Sequence, residues 1–304
     1  MVRRLVVVLA VFVLVLGACG SDDGDDGSVE EAAEEEAAEE EAAEEEEAAS
    51  IDVTVTESGV DGVAEVPAGV VDVTVDDQSG SAGSEVNFTL VAEGTTEEAF
   101  KEGLVPVFEG GPFPDFLLST AGTRGGLVTL DEGEYIAWAD LAFDLDRPAT
   151  PDDIVTAPMT VAAGDDDAEL PEADGTIVAE DYRYDIDIPA GGGTINFANI
   201  GPDEMHHAIL IDFGTNDPAV IEENFPAILQ AEGPDDIPEG VDPSQIDFEF
   251  AGSSVFGPDL SGTFPAEVAA DTTYAAVCFI SDRAGGPPHA FAHDMYQVFT
   301  VEDA

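Results

Sequence analysis

The chain contains little cysteine and little positive charge. Two of its 304 residues are Cys and seven are Lys or Arg, against 68 Asp or Glu, and the formal net charge is −61. Repulsion from phosphate would replace the counterion release that normally drives binding to nucleic acid and anionic lipid headgroups. We therefore expect no nucleic acid as a partner, and the charge favours basic proteins or metal cations instead.

The first 19 residues are typical of an export signal. Arg3 and Arg4 precede an apolar run from residue 5 to 16, which is shorter than the roughly 20 residues of a membrane-spanning helix. The following Leu-Gly-Ala-Cys resembles the lipobox of bacterial lipoproteins, which implies cleavage after residue 18 and lipid on Cys19. The alternative is an ordinary secretory signal with an incidental cysteine. We expect an extracytoplasmic protein that is anchored to the cell membrane by lipid on Cys19.

Residues 19–50 have the composition of an acidic linker. A Glu/Ala tract extends from Glu30 to Ala49. Its glutamates lie three and four positions apart, where like charges weaken a helix, and the tract has no apolar stripe to bury. We predict a disordered, solvated spacer between the membrane and the folded part of the chain.

From residue 51 onward the pattern is that of an all-β protein. Short apolar or alternating runs are separated by Gly, Pro, Asp and Asn, as in sandwiches and barrels. The clearest predicted strands are Val71–Val75, Val86–Val91, Thr194–Phe197, Ala208–Ile211, Tyr274–Ile280 and Tyr296–Val301. Two helices are predicted, Glu97–Leu104 and Pro218–Gln230, the second with Asn216 or Asp217 as its cap.

The order of these elements repeats along the chain. Each half has Gly-rich turns, two strands, a helix, and further strands that end in a Tyr-containing one. Aligning Tyr135 with Tyr274 places Ala139 opposite Cys278. The repeat predicts two tandem β-sandwich domains of ordinary size, residues 51–164 and 165–304, with a boundary in the acidic stretch after residue 164.

The two halves differ in the residues that bind metals. All four histidines (206, 207, 289 and 293) lie in the second half with Cys278 and Met295, whereas residues 51–163 contain neither His nor Cys. If Cys19 carries lipid, Cys278 has no partner for a disulfide in an oxidising compartment. Such a thiol is either buried as a small apolar side chain or used for its thiolate.

Two segments of the second half resemble the cupredoxins. Residues 199–211 resemble the segment in which a histidine opens a strand after an Asn-containing loop, and residues 274–301 resemble the Cys–loop–His–loop–Met segment. The resemblance implies Greek-key sandwiches and one copper ion, with His207, Cys278 and His289 as ligands and Met295 as the axial one. A His₂Cys set with a distant Met suits copper that alternates between two oxidation states.

The spacing departs from the usual cupredoxin pattern. Ten residues separate Cys278 from His289 and five separate His289 from Met295, and both gaps are longer than is common. We expect residues 281–288 to bulge outward, and His293 is the alternative to His289. Because neighbouring strand residues point to opposite faces, only one of His206 and His207 can face the ion. We expect His207, which leads directly into the apolar strand.

Two functions remain open at the level of sequence. The first is a tethered copper-binding protein for electron transfer or copper handling, with a basic redox-partner protein as the favoured partner. The second is a metal-free cupredoxin-like binding or structural module, in which Cys278 and Met295 merely fill the core. We expect no enzyme, because four histidines are too few for the further copper centre of a copper oxidase or nitrite reductase. The oligomeric state is left open.

Overall fold

The computed structural model describes residues 48–63, 65–81, 85–142, 147–164 and 168–302. The predicted signal, Cys19 and nearly all of the acidic linker lie outside these residues. Among the described residues, no helix is long and apolar enough to span a membrane. Residues from Glu46 to Ala304 form one compact unit.

Within the described residues, the first half contains nine strands and one long helix. They are β1 (Ala49–Thr56), β2 (Gly59–Asp61), β3 (Val66–Pro67), β4 (Gly69–Asp77), β5 (Val86–Val91), α1 (Glu97–Phe108), β6 (Leu117–Thr123), β7 (Gly126–Leu130), β8 (Gly133–Asp140) and β9 (Ile154–Ala162).

The second half has the same kinds of element. They are β10 (Gly175–Glu180), β11 (Arg183–Asp187), β12 (Gly193–Asn199), β13 (Ile209–Asp212), α2 (Pro218–Leu229), β14 (Asp247–Gly252), β15 (Ser261–Ala266), β16 (Thr272–Val277), the short α3 (His289–Ala292) and β17 (Tyr296–Val301). In the described part of the chain strands far outnumber helices, and the all-β prediction is confirmed.

One sheet is shared by both halves. Its eight strands follow the order β11-β10-β12-β15-β7-β4-β1-β2, so second-half strands continue directly into first-half strands. The junction is the pairing of Gly262 in β15 with Val128 in β7, reinforced by the Leu127 N–H, which donates to Oγ1 of Thr263 at 2.9 Å. The division into two domains stays a prediction, but these two halves are joined by a continuous sheet.

Each half adds a smaller sheet and a helix to this shared layer. The first half contributes β3-β9-β8-β5-β6 and the second β14-β13-β16-β17. Apolar side chains of these sheets and of the shared sheet form one buried core. The outer face of the second-half sheet is covered by α2, whose Ile221 and Phe225 pack with Ile211 and Val277. Asp217, one of the two predicted caps, accepts the Ala219 N–H at the start of this helix.

Matching tyrosines support the alignment of the two halves. Both Tyr135 and Tyr274 are buried, and each hydroxyl oxygen accepts a backbone N–H from just upstream, from Asp131 at 3.1 Å and from Ala269 at 2.8 Å. Ala139, aligned with Cys278, is likewise fully buried. The first half thus fills with a methyl group the position at which the second half carries a thiol.

Candidate metal centre

Cys278 directly follows the end of β16 and is fully buried. Its N–H donates to the Met295 carbonyl at 3.2 Å, and its carbonyl accepts the Ala290 N–H at 2.9 Å. The Met295 N–H donates to the His289 carbonyl at 3.1 Å. These bonds fold residues 278–295 back on themselves, so that the Cys, His and Met of this segment lie at one end of the sandwich.

His206 is held by a separate loop, between β12 and β13. It pairs with Phe256 through two backbone hydrogen bonds of 3.0 and 2.8 Å. The buried amide of Asn199 braces the loop, since its Nδ2 donates to the carbonyls of Glu204 (2.8 Å) and Phe256 (2.9 Å) and its Oδ1 accepts the Gly201 N–H. The Asn that drew attention in the sequence therefore fixes the backbone that presents His206.

Three buried side chains converge at this end of the fold. The Sγ of Cys278 lies 3.8 Å from Nδ1 of His206 and 3.5 Å from Nδ1 of His289, and all three residues are at most 1% exposed. Metal–nitrogen bonds of about 2.0–2.1 Å and metal–sulfur bonds of about 2.3 Å, at tetrahedral to trigonal angles, separate N from S by about 3.6–3.8 Å. The spacing of the three donors thus fits a His₂Cys metal centre, with both imidazoles offering Nδ1.

The structure places His206 in this group, whereas His207, the residue expected from the sequence, lies outside it. Nε2 of His207 accepts the Phe279 N–H at 2.8 Å. The Tyr184 hydroxyl donates to the His207 carbonyl. His207 therefore connects the two ligand-bearing loops and holds Phe279, the residue that follows Cys278.

Met295 and His293, the other two residues of the predicted site, differ in burial and in contacts. Met295 is fully buried in the same core cluster as Cys278, and its backbone is hydrogen-bonded to Cys278 and His289. His293, the alternative ligand, faces away from the thiol. Its Nε2 lies 3.0 Å from Oδ1 of Asp282, and its ring stacks on Tyr182 with centroids 3.7 Å apart.

The insertion between Cys278 and His289 does not bulge outward as expected, because the first half binds it. The Arg283 carbonyl accepts the Phe113 N–H at 2.9 Å, and the Gly286 N–H donates to the Gly110 carbonyl at 2.9 Å. The Arg283 guanidinium donates to the carbonyls of Leu117 and Leu118. A Cβ at Gly285 (φ +79°) would lie 2.7 Å from the Pro112 nitrogen, so a glycine permits this close approach.

Burial determines the charge of the three converging side chains. It raises the pKa of the Cys278 thiol to about 11, although the nearby N–H groups of His207 and Ile280 and the Tyr184 hydroxyl act in the opposite direction. Burial also lowers the pKa of His206 and of His289 to about 4, with the nearby Asp282 carboxylate opposing that shift in both. At neutral pH both imidazoles are uncharged and ready to donate, and only the thiol must lose a proton to a metal.

Acid is expected to destabilise the metal-free protein through His206, His207 and His289. In the unfolded chain each takes up a proton near its ordinary pKa of 6.5, whereas in the folded chain burial lowers the pKa to about 4 for His206 and His289 and to about 3 for His207. The unfolded state therefore binds more protons in this range, and the free energy of unfolding should fall by about 2 kcal/mol per histidine between pH 7 and pH 5. Urea denaturation of the metal-free protein at pH 7, 6 and 5 measures this loss. His206→Asn should remove about a third of it, and an unchanged pH dependence in that variant would contradict the assignment.

Several residues around the centre were not predicted. Tyr182 presents its ring edge-on to His206 and His289, with centroids 6.1 and 5.1 Å away, and Tyr184 contacts the thiol from β11. Asp282 lies beside His289. The two tyrosines are about 100 positions from the Cys-containing loop in sequence, and no local pattern connects them to it.

No family model matches the chain, and no curated protein does. Among solved structures, it is similar to dithionite-reduced auracyanin from Roseiflexus castenholzii (24% identity, 41% of this chain and 94% of that chain, TM-score 0.25). It is also similar to auracyanin A, a blue copper protein from Chloroflexus aurantiacus (20%, 42% and 96%, TM-score 0.26). A third is copper nitrite reductase from Nitrosomonas europaea (12%, 84% and 94%, TM-score 0.20). At these TM-scores the likeness carries no conclusion about function, which is argued from the geometry of the site.

Proposed function

We propose that this protein is a cupredoxin-like electron-transfer protein in which His206, Cys278 and His289 would hold one copper ion, with Met295 as the fourth residue of the site. We also propose that it is exported and tethered to the cell membrane by lipid on Cys19. The tether rests on the lipobox-like sequence alone, whereas the metal centre rests on the geometry of the described residues.

The convergence of Sγ and two Nδ1 atoms on one buried point carries this proposal. A thiolate and two imidazoles are the donors that suit copper in both of its common oxidation states, and bound copper supplies one-electron chemistry. The protein contributes donors that are already in position: the loop braced by Asn199 holds His206, and the folded segment 278–295 holds Cys278 and His289. Such preorganisation limits the movement of the ligands when the charge at the site changes.

The surroundings of His206 favour a basic redox-partner protein. A pocket of about 120 Å³ beside this residue is lined by Asp181, Asp203 and Glu204, on a chain whose formal net charge is −61. A positively charged partner would be attracted to such a surface, and its association should slow as salt screens the charges. We propose that electrons enter and leave from this side.

The placement of the histidines supports electron transfer in preference to a copper enzyme. Of the four histidines in the chain, two face Cys278, one accepts the Phe279 N–H, and His293 faces Asp282. No histidine is left over for the second, histidine-rich copper centre that a copper oxidase or nitrite reductase needs.

Copper titration of the purified full chain tests the proposal, in a Cys19→Ser background so that Cys278 is the only thiol. We expect one equivalent of Cu(II) to bind and to produce an intense visible thiolate-to-copper absorption. With the thiol protonated and both imidazoles neutral beforehand, binding at pH 7 should release about one proton. A protein that stays colourless, or that releases no proton, would favour the metal-free binding module.

A further inference from the structure

Asp282 lies at the centre of a cluster that covers the outer edge of His289. Its carboxylate oxygens are 3.0 and 3.1 Å from Nε2 of His293, and Oδ1 accepts the Tyr182 hydroxyl at 3.0 Å. The same Oδ1 is 3.2 Å from Nε2 of His289. Asp282 belongs to the insertion between Cys278 and His289, so the segment that lengthens this loop also brings a negative charge to the ligand.

The geometry of His289 determines which of its nitrogens carries the proton when a metal is bound. Nδ1 faces the Cys278 sulfur, so coordination uses the lone pair of that atom and the ring proton must reside on Nε2. Nε2 is fully buried and has no aligned hydrogen-bond partner among the described residues. A small rotation of the His289 ring toward the Asp282 carboxylate, whose Oδ1 is 3.2 Å away, would make that carboxylate its acceptor. Metal-binding histidines commonly donate their second N–H to a carboxylate, a carbonyl or water.

We propose that Asp282 is a positioning residue that accepts the Nε2–H of His289 in the copper-bound protein. This rests on the proposed function of the site. The bond fixes the tautomer and the orientation of the ring and makes Nδ1 a stronger donor, which favours the more highly charged Cu(II) over Cu(I). His293 faces both carboxylate oxygens and holds them in place, whereas the Tyr182 hydroxyl competes with His289 for Oδ1.

A second cation is the competing use of the same residues. Ligand atoms of Glu204, Asp282 and His289 lie within 4.8 Å of one another. However, Glu204 already accepts the Arg283 N–H at 2.8 Å, and both oxygens of Asp282 face His293. A cation at Nε2 would also require His289 to give up its remaining proton. These contacts favour a hydrogen-bonded histidine, and the number of metal equivalents bound distinguishes the two.

Asp282→Asn tests the inference in the full chain, with Asp203→Asn as the matched control. Asp203 is an exposed carboxylate that lines the neighbouring pocket, so both variants remove one negative charge near the site. We expect Asp282→Asn to weaken Cu(II) binding by about 10–100-fold and to affect Cu(I) binding less. A tenfold change in the ratio of the two affinities corresponds to a rise of about 59 mV in reduction potential. Asp203→Asn should change the potential far less, because its charge is screened by solvent.

Tyr182→Phe provides a second variant with the opposite expected sign. Without the Tyr182 hydroxyl, Asp282 becomes a stronger acceptor for His289, and the reduction potential should fall. General loosening of the loop would move the potentials of both variants in the same direction, which would overturn the inference.

The outcomes separate this inference from the proposed function. If the wild-type chain forms no thiolate–copper band, the proposed function fails. If the band forms but the potential and affinities of Asp282→Asn match those of Asp203→Asn, only the role of Asp282 is overturned. Binding of a second metal equivalent that Asp282→Asn removes would also overturn it, in favour of a cation site.

Discussion

Cys278→Ser is expected to abolish the visible thiolate-to-copper absorption completely. The band requires a sulfur donor, and a serine hydroxyl is a hard ligand with a far higher pKa that supplies no such transition. Cys278 is the only thiol within the described residues, and its sulfur is the atom that both Nδ1 atoms approach. Absorption and electron paramagnetic resonance spectra of the copper-loaded chain measure the change, and any remaining Cu(II) should give the signal of an ordinary N/O site.

The fold should survive this replacement. Serine is similar in size to cysteine, and burying its hydroxyl costs about 1–3 kcal/mol unless it finds a hydrogen-bond partner. Cys278→Ala, which fills the site as Ala139 does in the first half, provides a check in which no new polar group is buried. A band that persists in either variant would rule out Cys278 as the ligand, and Cys19→Ser alone should leave the band unchanged.

His206→Gln and His207→Gln are expected to have very different effects on copper. Loss of His206 removes a ligand from the proposed centre, and we expect Cu(II) affinity to fall more than about 100-fold. Loss of a residue that only hydrogen-bonds to a ligand typically costs less than that. His207 accepts the Phe279 N–H, so its replacement should keep the band and cost about tenfold or less. Copper affinity measured by competition with a chelator, together with the band intensity, ranks the two variants.

The reverse ranking would restore His207 as the ligand, as the sequence suggested. His293→Gln serves as the control for a histidine that is near the site and faces Asp282. We expect this third variant to retain the band.

The ambiguity between His206 and His207 has a physical origin. Strand β13 is apolar at successive positions because both of its faces are buried. Ala208 and Leu210 face the core that contains Cys278, whereas Ile211 packs with Ile221 of α2. The sequence does not show that a helix covers the outer face. The alternation of side chains along the strand therefore does not reveal whether the even-numbered or the odd-numbered residues point to the proposed metal site. Once the inward face is known, His206 follows, because it has the same parity as Ala208 and Leu210.

The general fold could be predicted because its signals are local. Glycine, proline and aspartate separate the strands, and Asp217 marks the start of α2 as a cap. The sheet that joins the halves left no such signal. Its junction is one residue pair, Gly262 with Val128. A few hydrogen bonds of Thr and Ser side chains reinforce the pair, and such side chains are common in loops.

The partners of the metal centre were out of reach of sequence reasoning for a related reason. Cys278, His289 and Met295 stand in one segment, where their order is visible. Asp282 stands among 68 acidic residues, and nothing in its neighbourhood sets it apart. Its carboxylate accepts the hydroxyl of Tyr182, which is 100 positions away in the chain.

The contact between Arg283 and the first half connects the proposed centre to a part of the chain that contributes none of its proposed ligands. Lengthening a ligand loop raises the entropy that must be lost to close it, and here residues 110–118 restrict that freedom from outside. Selection on the proposed copper centre would therefore extend to a half of the chain that holds none of the proposed ligands. Substitutions in residues 110–118 would be filtered by their effect on that centre, and the two halves would evolve as one unit.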